Sequence, residues 1–285
     1  MKIAIACYNY QLSSDLIIDG GSVWLNNLAQ AFTKLGHDCS LASLDSEIEA
    51  DLLICQSEWS ETLAWSSFKG KKICLLGHFI KAAYPDPKEI KADLILTVWR
   101  GELLLEGFKT EFVPHAFNDC QETIKENKTE IIWLGNTYNL RKEDWLEGLE
   151  VKRLSGVHPD KLNQLYCGNV IPNIHAPCQM GEISTDPSAF ADKSGTMLNE
   201  RFWQAIGAGG ILIQQYHPQV LDFFQEDEII MCKTKQEFQE KCQYYKEHPE
   251  EGIKFYLQAK EKVLKEHTYI HRAKHIINLL KINIK

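Results

Sequence analysis

The chain has 285 residues, more than one hydrophobic core ordinarily organises, so two domains are expected. Its net charge of −8 argues against general nucleic-acid binding, which needs a basic surface, and no apolar run is long enough to span a bilayer. Nine scattered cysteines, odd in number and without a Cys-x-x-Cys pair, fit buried thiols in a reducing, cytoplasmic setting better than a disulfide framework or a zinc site. On that reading the Asn127-Lys128-Thr129 sequon is accidental.

From the N-terminus, strand-like and helix-like segments alternate. Ile3 to Ala6 is too short for a signal-peptide core and reads as a first strand. Gly20-Gly21-Ser22 opens a helix whose Leu25, Leu28, Phe32 and Leu35 share one face before Gly36 ends it. Strands follow at His37 to Leu41, Leu52 to Cys55, Ile73 to Leu76 and Leu94 to Thr97, then a helix through Leu103 to Leu105 and a short strand at Phe112-Val113. The polar run from Asn118 to Glu130 is the expected linker. A second series begins with a strand at Ile131 to Leu134, a loop at Gly135-Asn136-Thr137 and a helix from Arg141 to Leu149. A strand at Val151 to Leu154, a loop at Gly156-Val157-His158, a helix from Pro159 to Tyr166 and a strand at Val170 to Ile174 continue it.

A loop rich in proline and glycine then leads to Asn199, a good N-cap. Phe202, Trp203, Ala205 and Ile206 continue at helical spacing until Gly207 to Gly210 stop the helix, and Ile211 to Ile213 read as a buried parallel strand. The tail carries three apolar helical stripes, the last through Tyr269, Ala273, Ile276, Ile277 and Leu280. Strands separated by helices imply right-handed crossovers, parallel sheets and ligands beyond the carboxyl ends of the strands, where Gly20, Gly21 and His78 lie. The expected fold is α/β, with two Rossmann-like domains facing across a cleft. Residues 1–120 form the first, 121–268 the second, and 269–285 a terminal helix.

The start of the helix after Asn199 combines unsatisfied N–H groups, a positive dipole end and Arg201, which together suit a phosphate or diphosphate. No Walker loop, Gly-x-Gly-x-x-Gly after the first strand, Gly-x-Ser-x-Gly elbow or Asp-x-Asp triplet is present, so the sequence holds no ATPase, dehydrogenase, serine-hydrolase or metal-carboxylate signature. His78 and His115 could simply cap loops, His175 is read as a buried loop histidine, and Arg141 could be a surface ion-pair former.

Gly20-Gly21, Leu35-Gly36-His37, Ala92 to Thr97, Val113 to Asn118 and Arg201 to Ala205 through Gly210 recur in this order in glycosyltransferases of the GT-B fold. With His248 to Glu251 and Glu266 to Ala273, the chain resembles the CgeB-like glycosyltransferases, named after a spore maturation protein. The resemblance implies a nucleotide-diphospho-sugar donor, with a UDP-sugar expected, held mainly by the second domain, and an acceptor entering from the first. It implies that Gly135, Asn136 and Arg141 face the diphosphate, that Gly156, Val157 and His158 flank the base, and that Asn199, Glu200 and Arg201 meet the diphosphate and sugar. It also implies that His78 approaches the donor sugar as the catalytic histidine, and that the last helix crosses back to the first domain.

Retaining relatives often carry a ribose-binding glutamate where this chain has Gln204, and another where it has Thr196. A retaining, metal-independent transfer with no cofactor beyond the donor is the expectation, with stereochemistry left open by the missing pair. Gln204 can still hydrogen-bond ribose. The acceptor stays undetermined among a glycan, a protein, a small molecule and a modified nucleic-acid base. Two alternatives also stay open: a nucleotide-sugar-binding protein without turnover, and an epimerase or hydrolase on the same fold.

Overall fold

The computed structural model describes residues 1–7, 20–56, 62–76, 91–98, 110–119, 129–134, 140–154, 157, 161–174, 178–179, 182–183 and 198–283. The first part holds β1 (Lys2–Cys7), α1 (Gly20–Lys34), β2 (Asp38–Ser43), β3 (Leu52–Gln56), α2 (Leu63–Ser67), β4 (Lys71–Leu76), β5 (Leu94–Thr97) and β6 (Thr110–Phe112). Its six strands form a parallel sheet in the order β2-β1-β3-β4-β5-β6. β5 is buried at every position and β1 at all but its first, which is why these strands read as unbroken apolar runs rather than alternating ones. On α1, Leu25, Leu28 and Phe32 enter the same core, and Gly36 leaves the helix at a φ of +83° that favours glycine.

The second part holds β7 (Ile131–Leu134), α3 (Leu140–Leu146), β8 (Val151–Leu154), α4 (Leu162–Tyr166), β9 (Val170–Asn173), β10 (Cys178–Gln179), β11 (Glu182–Ile183), α5 (Glu200–Ala208), β12 (Ile211–Gln215) and β13 (Met231–Cys232). The helices α6 (Lys235–Glu247), α7 (Pro249–Phe255), α8 (Leu257–Glu266) and α9 (Tyr269–Asn283) complete the chain. A separate parallel sheet runs β13-β12-β9-β7-β8, while β10 and β11 pair as a short antiparallel hairpin. The strand order reverses between β1 and β3 in the first sheet and between β7 and β9 in the second. Ligands of open α/β sheets bind at the carboxyl side of such reversals.

Each sheet has its own hydrophobic core, and Tyr269, Ala273, Ile276, Leu279 and Leu280 of α9 belong to the first. The chain therefore crosses back after α8, as the resemblance implies. Where it returns it meets the outgoing strand of chain. Phe117 N donates to His267 O at 2.9 Å and Tyr269 N donates to Phe117 O at 2.8 Å, a parallel bridge between Phe117 and Thr268. Arg272 fastens the same place. Its Nε donates to Pro114 O at 2.9 Å and its Nη2 to His115 O at 3.3 Å, and burial holds its pKa down to about 10.

Two sequence expectations need correction. Asn118 is not the solvated start of a linker; it is fully buried, its Nδ2 donating to Asn27 Oδ1 at 2.7 Å and Gln30 Oε1 at 2.9 Å on α1. Its carbonyl accepts from Asn163 Nδ2 at 2.8 Å, so its polarity serves packing between parts rather than solvation. Residues 120–128 of the expected linker, and the helix expected through Leu103 to Leu105, lie outside the described residues. Second, the loop expected before Asn199 carries the β10-β11 hairpin, and β13 was not expected because a two-residue strand has no periodicity of its own. The run Gly207 to Gly210 stops α5 as the sequence predicts. The helix continues to Ala208 and closes on Gly209, whose φ is +80°.

Gly207 has another reason to be glycine: a Cβ there would stand 2.2 Å from Cγ of the Phe117 ring. Alanine in a helix interior ordinarily stabilises relative to glycine by about 1 kcal/mol, whereas overpacking a filled core costs about 1–3 kcal/mol. Gly207→Ala is therefore expected to lower the stability measured by denaturant unfolding. An increase would show that Phe117 does not need the space.

Candidate functional site

The carboxyl ends of β7, β9 and β12 bring polar groups together at the end of three otherwise apolar strands. Asn173, the last residue of β9, is fully buried and donates from Nδ2 to Gln214 Oε1 at 2.8 Å. Its Oδ1 accepts from Asn199 Nδ2 at 3.0 Å and from Arg201 Nη1 at 3.3 Å. Arg201 Nη2 donates to the carbonyl of Leu134, the last residue of β7. The guanidinium thus sits across the ends of β7 and β9, where the strand order reverses.

Its face covers the Trp133 ring with 4.3 Å from Cζ to the ring centroid, a cation–π contact. Burial pushes the Arg201 pKa below the ordinary guanidinium value, and the Tyr166 side chain partly offsets this through charge and a hydrogen bond. Among the described residues no carboxylate pairs with Arg201, and its buried Nε has no hydrogen-bond partner. Among the described residues this mostly buried cation is met by dipoles and a ring, an arrangement with capacity for an anion.

Asn199 orients the helix that carries this arginine. Its Oδ1 accepts from Phe202 N at 3.1 Å, the N-cap bond the sequence predicts. The amides of Glu200 and Arg201 are further first-turn donors that the helix itself cannot satisfy. The segment entering the cap is fixed by Gln219, whose Oε1 accepts from Leu198 N at 2.8 Å. Glu200 turns elsewhere: its Oε1 accepts from the Tyr269 hydroxyl, with His115 Nδ1 3.9 Å away.

The other expected site residues are placed as follows. Gln204 is 1% exposed, its Oε1 accepting from Asn118 N at 3.3 Å and its Nε2 donating to Ala116 O at 3.4 Å. Gly20 and Gly21 are the first residues of α1. Arg141 lies in the first turn of α3, described there only by its backbone, and Val157 is half-buried against the second core. His78, Gly135, Asn136, Gly156, His158, Thr196 and His175 lie outside the described residues. Sequence reasoning missed Asn173, Trp133 and Tyr166. For Asn173 a signal existed: an amide closing the apolar run Val170 to Asn173 at the ligand end of a strand.

Among the described residues no three His, Cys, Asp or Glu side chains are grouped to hold a metal ion, and no helix is long and apolar enough to cross a membrane. His217 is fully buried, its Nδ1 accepting from Gln219 N at 3.2 Å, and burial pushes its pKa down to about 4 from 6.5. The pKa of His267 is also lowered to about 4, by burial and by Arg272. Between those values the unfolded chain binds more protons than the native one, so stability is full above pH 6.5 and falls as pH drops toward 4. His217→Asn, which keeps a capping acceptor, is expected to flatten that slope in unfolding measurements across the range. An unchanged slope would assign the proton uptake elsewhere.

A family model described as glycosyl transferase-like matches residues 118–278, from the buried Asn118 through most of α9. No curated protein matches the chain by sequence. Among solved structures it is similar to an alpha-glucosyltransferase in complex with UDP and a 13-mer DNA containing a HMU base, at 11% identity and a TM-score of 0.62, over 100% of this chain and 99% of that one. T4 phage BGT in complex with UDP and Mn2+ gives 12% identity and a TM-score of 0.62 over 100% of both chains. AviGT4, a glycosyltransferase involved in avilamycin A biosynthesis, gives 9% identity and a TM-score of 0.58 over 98% and 97%. At these identities the likeness is one of fold, the GT-B arrangement of two parallel sheets flanked by helices.

Proposed function

The chain belongs to the glycosyl transferase-like family and is a glycosyltransferase; we propose that its donor is a UDP-sugar whose diphosphate is met at the start of α5. The observation that carries this reading is Arg201: a mostly buried guanidinium without a carboxylate partner among the described residues, beside helix-start amides at the strand-order reversal. The presence of UDP in two of the structurally similar enzymes supports the choice of nucleotide.

In sugar transfer the leaving diphosphate gains charge as the anomeric carbon becomes cation-like. Preorganised donors aimed at that charge lower the barrier without having to reorient during the reaction. Arg201 and the amides of Glu200 and Arg201 fill that role in this reading, with Arg141 as a second cation and the loops at Gly135-Asn136 and Gly156-Val157-His158 completing the donor site. His78 is assigned to the donor sugar, and the transfer is read as retaining and metal-independent, in a CgeB-like member of the family acting in the cytoplasm. Gln204 is assigned to the ribose, which requires its amide to exchange a bond to Asn118 or Ala116 for one to the sugar.

The acceptor is open. One similar enzyme was solved with DNA carrying a modified base, so such a base joins glycans, proteins and small molecules as acceptors to be tried.

Incubation with a panel of nucleotide sugars tests the class. Transfer or slow donor hydrolysis supports it, binding without loss of donor supports a non-catalytic binder, and sugar inversion an epimerase. Activity is expected to survive EDTA; complete loss that Mg2+ or Mn2+ restores would count against the arginine-and-amide scheme. Arg201→Ala should lower affinity for the nucleoside diphosphate by roughly 1.5–3 kcal/mol, the range for hydrogen bonds to charged groups, with little change for the nucleoside. Calorimetry on protein with a wild-type melting profile decides. Equal losses for the two ligands would make Arg201 a structural residue.

A further inference from the structure

Resting on that donor reading, a second feature of the α5 start concerns charge. An acidic residue in the first turn of a helix ordinarily favours the helix dipole. At α5 the same dipole end is assigned to a diphosphate, so a Glu200 carboxylate turned toward that ligand would set like charges side by side. The fold gives the carboxylate another place. Glu200 is 9% exposed, and its Oε1 accepts a hydrogen bond from the Tyr269 hydroxyl at 2.5 Å. His115 Nδ1 lies 3.9 Å from the same oxygen and 3.5 Å from the Tyr269 hydroxyl oxygen.

Both holding groups are themselves fixed. Tyr269 is fully buried at the first position of α9, with its backbone N–H bonded to Phe117 O at 2.8 Å. Burial and the Glu200 charge push its phenol well above the ordinary pKa, so it remains a donor. His115 packs edge-on against Trp24 of α1, with ring centroids 4.9 Å apart. Adjacent residues of one helix thus point to different parts: Arg201 to the ends of β7 and β9, Glu200 to α9 and the segment after β6.

We propose that Tyr269 is a positioning residue for the donor: by holding the Glu200 carboxylate beside His115, it keeps a negative charge off the diphosphate at the start of α5. The role requires the hydroxyl, not merely the ring, and it acts on charged ligands alone.

The test measures affinity for UDP and for uridine by calorimetry. Tyr269→Phe is expected to weaken UDP about tenfold, which is ~1.4 kcal/mol, the scale of one unit charge a few ångströms away in a partly solvated site. Uridine affinity should stay unchanged. Adding Glu200→Gln to the same chain should restore UDP binding, since the amide carries no charge to repel the ligand. Equal weakening of both ligands, or no rescue, would reduce Tyr269 to a packing residue. Glu200→Gln alone keeps an acceptor for the Tyr269 hydroxyl and is the variant least disturbing to the fold; it should bind UDP at least as tightly as wild type. Tenfold weaker binding would mean that the carboxylate serves the ligand, which overturns the proposal. If wild type binds UDP but the variants do not discriminate, only the positioning role fails. If wild type binds neither UDP nor GDP nor ADP, the donor reading fails and this role with it.

Discussion

The bridge between Phe117 and Thr268 is the constraint on which the rest of the structure depends. The chain leaves the first core after β6 and returns to it at α9, and these two passages are hydrogen-bonded to each other through Phe117, His267 and Tyr269. Buried backbone groups at such a place must be satisfied, and here each passage satisfies the other. Arg272 adds bonds to the carbonyls of Pro114 and His115, which ties the first turn of α9 to the residues just before the bridge. A change in either passage is felt by both cores, since Phe117 packs in the second and Tyr269 in the first.

The helix α5 is positioned from this bridge. Gly207 lies under the Phe117 ring, and Gln204, one turn earlier, bonds to the backbone of Ala116 and Asn118. One more turn back, Glu200 meets Tyr269 and His115. Residues at this spacing share one face of a helix, so a single face of α5 is read by the crossing segments over its whole length. Arg201 projects away from that face toward Asn173 and the Leu134 carbonyl. The placement of the candidate anion site therefore follows from how the two passages are joined.

Much of this was legible in the sequence where one residue type has one physical use. The unbroken apolar runs of β1, β3, β4, β5, β7 and β12 announced buried parallel strands, and Asn199 before Phe202 announced a capped helix. What could not be read were residues whose meaning lies in a distant partner. Asn118 looks like solvent-exposed linker until Asn27, Gln30 and Asn163 are known to surround it. Gly207 looks like a helix stop because glycine favours that use, while its actual requirement comes from an aromatic ring ninety residues earlier in the chain. For Glu200, expected at the ligand with Asn199 and Arg201, helix position alone does not say that its carboxylate meets the Tyr269 hydroxyl. The strand β13 has no pattern of its own and exists through its pairing with β12.

The treatment of charge around α5 follows one rule. Arg201 is compensated by a carbonyl, an amide oxygen, a tyrosine and the face of an indole, all of which stabilise a cation without cancelling its charge. A carboxylate partner would be electrostatically stronger, but it would compete with any incoming phosphate and have to be displaced. The acidic residue next to it in sequence is instead engaged on the opposite side, where its Oε1 accepts from the Tyr269 hydroxyl. Among the described residues, dipolar support for the cation and separate housing for the anion set the Arg201 guanidinium and the Glu200 carboxylate on different sides of α5. That separation is built from side-chain directions that the composition of the chain does not reveal, and it is what the proposed diphosphate reading requires of the helix start.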